Sequence, residues 1–243
     1  MLGLPCLNPR EGKKLKDRRN IIARLPEDLR TVVRTGAPLG DLTTLRVGGA
    51  ADLLCPVANP EHARRFQAFA LENDLPVFIL GGGSNVLADD RGYGGMILHV
   101  TADGMTCAGD TVRVGAGASF DGLIAHTLDR GLTGLEFASG IPGTVGGALV
   151  GNAGCYGHEI GEFLVEAVVL TPDGNLTTVG PETFGFRYRE TDLRETGAVV
   201  VEALLKLERG DVHAAGDERA THIADRRAKH PVDIPSAGSW FRN

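Results

Sequence analysis

The stretch Pro76-Val77-Phe78-Ile79-Leu80-Gly81-Gly82-Gly83-Ser84-Asn85 holds the key to this chain's fold. An apolar run that ends in glycines predicts a short buried strand feeding a loop. Glycines at a strand end let backbone N–H groups approach an oxygen-rich guest, and phosphate or pyrophosphate is the usual one. The dinucleotide fingerprint needs a third glycine three positions after the second, a helix opening on it, and an acid about 20 residues further on. Here Val86 stands where that glycine belongs, and Ala88-Asp89-Asp90-Arg91-Gly92 leads through a turn to an apolar run at 96–100 that reads as another strand. A glycine loop between strands is expected, and a Rossmann site is disfavoured.

Upstream, residues 51–57 are apolar enough for a buried strand, and Asn59-Pro60-Glu61 supplies a helix N-cap, a proline at the first helical position and an early acid. Ala63, Phe66, Ala70 and Leu71 follow near helical spacing. Ordered alternation begins only near Leu45, and the basic run at 10–19 reads as a solvated tail. Downstream, residues 111–114 read as a strand, and Ser119 caps a helix with Phe120, Leu123, Ile124 and Leu128 on one face, closed by Gly131. Glycines then recur up to Gly161, too densely for regular helix or strand, so a buried or ligand-facing loop system is expected. Thr171-Pro172-Asp173-Gly174-Asn175 between apolar runs at 165–170 and 176–179 signals a hairpin. Residues 198–207 read as a strand and 217–229 as a charged helix ending at His230-Pro231.

With 243 residues, 42% of them hydrophobic, the chain can bury a sizeable core. Its net charge of −6 argues against a nucleic-acid scaffold, so any anion it binds must be held locally. Cys6, Cys55, Cys107 and Cys155 are widely spaced, which predicts neither a metal site nor a disulfide framework and suits a reducing cytoplasm. No run is long and apolar enough for membrane insertion, and no secretory signal is evident. The 34 glycines are about twice the usual frequency of roughly 7%. They concentrate in the 81–85 loop and in a second backbone-rich surface, Gly140-Ile141-Pro142-Gly143-Thr144-Val145-Gly146-Gly147-Ala148 followed by Gly151-Asn152-Ala153-Gly154-Cys155-Tyr156-Gly157. Two such loops suit the two ends of an elongated cofactor.

Six motifs in order carry a resemblance. They are Thr43-Thr44-Leu45-Arg46-Val47-Gly48-Gly49, the 81–85 loop, Gly134-Leu135-Glu136 with the 140–147 run, Asn152-Ala153-Gly154, Phe186-Arg187-Tyr188-Arg189, and Pro235-Ser236-Ala237-Gly238-Ser239-Trp240-Phe241-Arg242-Asn243. Together they resemble the enolpyruvoylglucosamine reductase family, in its shorter type, from about residue 40 to the end. The resemblance implies an α+β, two-part FAD-binding fold of the vanillyl-alcohol-oxidase (PCMH) type. It implies a basic extension at 1–39, FAD-binding subdomains at 40–106 and 107–210, and at 211–243 the start of a C-terminal substrate domain. That domain, with the family's catalytic glutamate, is expected to be truncated after Asn243.

The activity so implied is reduction of UDP-N-acetylenolpyruvoylglucosamine to UDP-N-acetylmuramate for peptidoglycan, and hence for cell-wall growth, shape and division. NADPH would reduce non-covalent FAD, and hydride would pass from flavin N5 to the enolpyruvyl group. Gly81, Gly82, Gly83, Ser84 and Asn85 would hold the pyrophosphate; Gly140, Ile141, Pro142, Gly143, Thr144, Gly147, Asn152, Ala153 and Gly154 would line the isoalloxazine. Arg189 matches the family's arginine that steadies the enolate and Ser239 its serine acid, while Tyr188, Arg226, Lys229 and Asn243 match substrate contacts. Plainer readings stand beside these. Arg189 sits among Arg187 and Arg194 as a surface charge would, Ser239 is a turn hydroxyl, Arg226 and Lys229 are solvated helix charges, and Tyr188 and Cys155 are packing residues. A catalytically silent FAD-binding fragment, or an FAD-linked alcohol oxidase on the same fold, are the competing functions.

Overall fold

The computed structural model describes residues 6–7, 18–230 and 234–238. The chain forms two compact units, the first running to Val100 and taking in the segment from Pro235, the second spanning Thr101–Ile234. Among the described residues no helix is long and apolar enough to cross a membrane, and no group of His, Cys, Asp and Glu is arranged to hold a metal.

The first unit comprises β1 (Cys6–Leu7), α1 (Arg18–Arg24), α2 (Glu27–Arg30), β2 (Arg34–Pro38), β3 (Ala50–Val57), α3 (Pro60–Glu72), β4 (Val77–Leu80), β5 (Leu87–Ala88) and β6 (Tyr93–Val100). Its sheet has the order β2-β3-β6-β4, with β3, β6 and β4 parallel and β2 antiparallel at the edge. Strands β3 and β6 are buried along nearly their whole length, as strands covered on both faces are. Helix α3 buries Ala63, Phe66, Phe69 and Ala70, and Asn59 caps it by accepting the His62 N–H at 2.8 Å. A further cluster gathers Ala37, Leu39, Leu54, Leu80, Val86, Tyr93 and Ile97. The glycine loop after β4 opens no helix; β5 follows, paired in parallel with β1.

The expected basic extension does not hold here. Residues 18–39 are not a bare extension: α1, α2 and β2 belong to the first unit, because Leu29, Ala37 and Leu39 are buried and β2 pairs with β3. Arg18 also reaches the buried carboxylate of Asp52 on β3. The basic run at 10–19 lies mostly outside the described residues.

The second unit comprises β7 (Met105–Ala108), β8 (Thr111–Gly115), α4 (Phe120–Leu128), β9 (Leu132–Thr133), α5 (Val145–Val150), β10 (Gly154–Cys155), β11 (His158–Glu159), β12 (Leu164–Leu170), β13 (Leu176–Val179), α6 (Leu193–Thr196), β14 (Val199–Lys206), β15 (Glu208–Arg209) and α7 (Val212–Lys229). An antiparallel sheet runs β13-β12-β14-β8-β7. The hairpin between β12 and β13 closes as expected, with Thr171 N–H on the Asn175 carbonyl at 2.9 Å. Helix α4 buries Phe120, Leu123 and Ile124 beneath a Ser119 cap.

Helix α5 contradicts the expected absence of helix from the glycine-rich stretch. Thr144 caps it, and Gly146 serves close approach: a Cβ there would lie 2.8 Å from Ala116 Cβ. The units divide at 100/101 rather than 106/107, and α7 groups with the second unit instead of opening a third. It begins earlier than expected, at Val212, because Asp211 accepts the N–H groups of His213 and Ala214.

Candidate active site

The 81–85 loop is seated on the 42–44 backbone. Gly83 is buried with φ +63, and its carbonyl accepts the Thr44 N–H at 3.1 Å. A Cβ there would lie 2.0 Å from the Leu42 carbonyl oxygen, so the backbone of the Thr43 to Gly49 motif fits only against glycine. Gly82 and Asn85 are exposed, and none of the described residues offers an acceptor to their backbone N–H groups. Outward N–H groups on a strand-end loop fit the pyrophosphate of a dinucleotide cofactor.

The returning C-terminal segment meets this loop. Thr44 Oγ1 donates to the Ser236 carbonyl at 2.6 Å, and the Ser236 N–H donates to the Thr44 carbonyl at 3.1 Å. The Cβ position of Gly238 is 3.8 Å from the Ser84 carbonyl oxygen. Ser239 and Asn243 themselves lie outside the described residues.

The turn after β5 is held by charge. Asp89 accepts from Arg91 Nε at 2.9 Å, Nη2 at 2.7 Å and the backbone N–H at 2.8 Å, while its own carbonyl accepts the Gly49 N–H at 2.9 Å. The Arg91 guanidinium and backbone N–H pull the Asp89 carboxyl from 3.8 down to about 2. A depressed folded pKa contributes stability above the unfolded value that disappears as pH falls through the folded one. Thermal stability should therefore drop between pH 3.8 and about 2, and Asp89→Asn should flatten that part of the profile. A scan of unfolding midpoint against pH checks this; identical slopes for both proteins would contradict it.

In the second unit, the 140–154 segment and the turn carrying Arg189 are knotted together. Asn152, 1% exposed, donates from Nδ2 to Glu159 Oε2 at 2.5 Å and to the Arg187 carbonyl at 3.0 Å, and its Oδ1 accepts the Gly161 N–H at 3.2 Å. Its side chain is thus committed to protein groups. Thr191, also buried, donates to the Val150 carbonyl at 2.7 Å. Between these two anchors, Arg187 and Glu190 exchange backbone hydrogen bonds of 2.9 and 3.1 Å.

This tight turn forces Arg189 to φ +58. A left-handed non-glycine residue costs about 1–2 kcal/mol and clusters at functional sites. Arg187 is ion-paired with Asp192 and Glu190, but no carboxylate among the described residues pairs with Arg189. Its guanidinium lies 5.5 Å from the centre of the Tyr188 ring, which is 55% exposed. An unneutralised guanidinium beside an exposed aromatic ring can hold a carboxylate or enolate oxygen pair.

Thr144 is occupied as a cap, with Gly147 N–H on its Oγ1 at 3.4 Å. Ser139, at the mouth of the 140–147 run, is wholly buried, and its Oγ has no partner among the described residues. An orphaned hydroxyl next to this backbone-rich run also fits a polar cofactor ring. Arg226 donates to the Ser139 carbonyl at 3.3 Å; Lys229 pairs with Asp225 at 2.8 Å, and Asp225 also accepts the Tyr156 hydroxyl at 2.8 Å. Asp121, Gly140, Ile223, Arg226 and Arg227 line a cavity of about 260 Å³.

Residues 51–180 match a family model described as an FAD binding domain. A UDP-N-acetylenolpyruvoylglucosamine reductase of Symbiobacterium thermophilum is 42% identical over 87% of the chain and 69% of its own length. The chain belongs to the UDP-N-acetylenolpyruvoylglucosamine reductase family. A relative of the same name from Syntrophomonas wolfei is 36% identical over 86% of the chain and 71% of its own length. The crystal structure of the Thermus caldophilus enzyme superposes with TM-score 0.70 at 32% identity, covering 87% of this chain and 74% of that one. An alkyldihydroxyacetonephosphate synthase, 17% identical with TM-score 0.54 over 82% of this chain and 42% of that one, shares the fold. The two-part α+β FAD-binding fold and the reductase family expected from the motifs are therefore established.

Sequence reading missed Asp121, Arg219, His222 and Ser139. Arg219, His222 and Arg226 do recur at helical spacing, but nothing local marks their partners.

Proposed function

We propose that the chain carries out NADPH-dependent reduction of UDP-N-acetylenolpyruvoylglucosamine to UDP-N-acetylmuramate, a step of peptidoglycan synthesis. FAD, when bound, supplies the hydride equivalent that it has taken from NADPH. The N–H groups of the 81–85 loop bind the cofactor's pyrophosphate, and the 140–154 segment lines its ring. Arg189 holds the substrate carboxylate and the enolate oxygen that develops when the neighbouring carbon is reduced. Ser239 delivers the proton that completes the product. Arg226 and Lys229 bind the substrate's phosphates; the Lys229 to Asp225 pair is an exposed one of small worth and is readily exchanged for phosphate.

The observation that carries this reading is Arg189, strained, without an acidic partner among the described residues, and anchored through Asn152 and Thr191 to the 140–154 segment. The test is to load the purified chain with FAD and follow NADPH loss with and without the UDP-sugar. Substrate-dependent oxidation supports the reductase. A yellow protein without it indicates a silent FAD-binding chain, and oxygen uptake with simple alcohols indicates an oxidase; either result overturns the proposal.

A further inference from the structure

Helix α7 contributes almost nothing apolar to the core; Ala215 is its one buried residue. What it presents instead is a row of polar side chains at positions i, i+3 and i+7, which share one helical face. Arg219 makes a bidentate pair with Asp121, Nη1 to Oδ1 at 2.6 Å and Nη2 to Oδ2 at 2.8 Å. His222 Nδ1 lies 2.9 Å from the Glu136 carbonyl oxygen, and Arg226 Nε donates to that of Ser139 at 3.3 Å. Asp121 Oδ1 also accepts the Gly140 N–H at 2.9 Å. Successive contacts therefore fall on residues 136, 139 and 140, where the chain turns into the 140–147 run. Gly140 itself has φ +74, and its Cβ position lies 3.1 Å from Arg226 Cδ and 3.7 Å from Ile223 Cγ1.

We infer that α7 clamps the loop that faces the cofactor ring, with Arg219 and Asp121 as a positioning pair that fixes the Gly140 turn. This rests on the reading that the 140–154 segment lines the ring. A glycine in the left-handed region has many alternatives open to it, so something outside the turn must hold it. A fork-on-carboxylate pair is suited to that because two parallel bonds fix orientation as well as distance. Arg219 is only 19% exposed on its side chain, so water competes poorly for the pair. Neither residue touches the reacting atoms in this account. They act through the backbone N–H of Gly140.

The test compares wild type with Arg219→Ala, Arg219→Lys, Asp121→Asn and Asp121→Ala in the full chain. Fluorescence titration gives FAD affinity, the visible absorption band reports the ring's surroundings, and amide exchange reports the Gly140 turn. Arg219→Ala should weaken FAD binding about 10-fold or more, the loss of roughly one charge-assisted contact. It should also blur the band's fine structure and speed exchange at Gly140. Arg219→Lys should restore part of each, because charge remains while the fork is lost. Asp121→Asn keeps an oxygen for Gly140 and should fall between. Unchanged affinity and spectrum, with only the unfolding midpoint lowered, would reduce the pair to a structural brace and overturn the inference. If wild type takes up no FAD, the ring-facing reading fails instead, and the clamp is judged on exchange: unaltered protection of Gly140 in Asp121→Ala overturns it.

Discussion

Gly83→Ala is expected to destabilise the first unit by about 2–5 kcal/mol and to abolish FAD retention. The left-handed backbone contributes about 1–2 kcal/mol of this, and overpacking adds about 1–3. The overlap has no rotamer to relieve it: the new Cβ would lie 2.0 Å from the Leu42 carbonyl oxygen and 2.8 Å from Thr43 Cα, both backbone atoms. The loop must lift, which breaks the Thr44 N–H bond to the Gly83 carbonyl. It also disturbs the Thr44 to Ser236 pairing, through which the segment leading to Ser239 is attached. Gly36→Ala is the control. Gly36 has nearly the same φ, +64, but nothing within 4 Å of its Cβ position, so it carries the conformational cost alone. Chemical denaturation of the two variants, with FAD fluorescence on each, separates sterics from backbone preference. If Gly83→Ala were as mild as Gly36→Ala and still held FAD, the loop would not be the cofactor's seat.

The features legible in the sequence are those whose cause is local. Asn59-Pro60-Glu61 caps α3 because the side chain and the N–H that it satisfies are three residues apart. Thr171 to Asn175 closes a hairpin with its own turn residues, and Ser119 caps α4 in the same way. The glycine loop was legible as a loop, and as unlike a Rossmann turn, because Val86 and the acids after it exclude a helix there.

What the sequence concealed has distant causes. Helix α5 forms despite two adjacent glycines, one of which, Gly146, packs where Ala116 leaves no room for a side chain, and burial of Leu29, Ala37 and Leu39 orders residues that look like a tail. The motif places Asn152 as a cofactor contact. Its side chain ties the Arg187 carbonyl to Gly161, and an amide's choice between ligand and protein is invisible without the partner. The same holds for Asp121 and Arg219, 98 positions apart.

Arg189→Ala should lower kcat by about 100- to 1000-fold while leaving FAD affinity near wild type, the usual loss when one preorganised donor to a developing oxyanion is removed. Arg189→Lys should recover only part, because an ammonium supplies charge without the planar fork. Stability supplies an independent sign. Alanine keeps a Cβ and with it the strain of φ +58, so its midpoint should not rise. Glycine removes the strain at some cost in unfolded-state entropy, so Arg189→Gly should fold at least as stably as Arg189→Ala while being equally inactive. Substrate-dependent NADPH oxidation and thermal unfolding on the three variants measure both effects. Near-wild-type turnover in Arg189→Ala would remove Arg189 from the chemistry and leave its strain without a functional reason. A strained backbone persists only where surrounding contacts over-determine it. Here the Asn152 and Thr191 bonds do so, and the residue held this way is an arginine whose guanidinium lies against the Tyr188 ring and pairs with no carboxylate among the described residues.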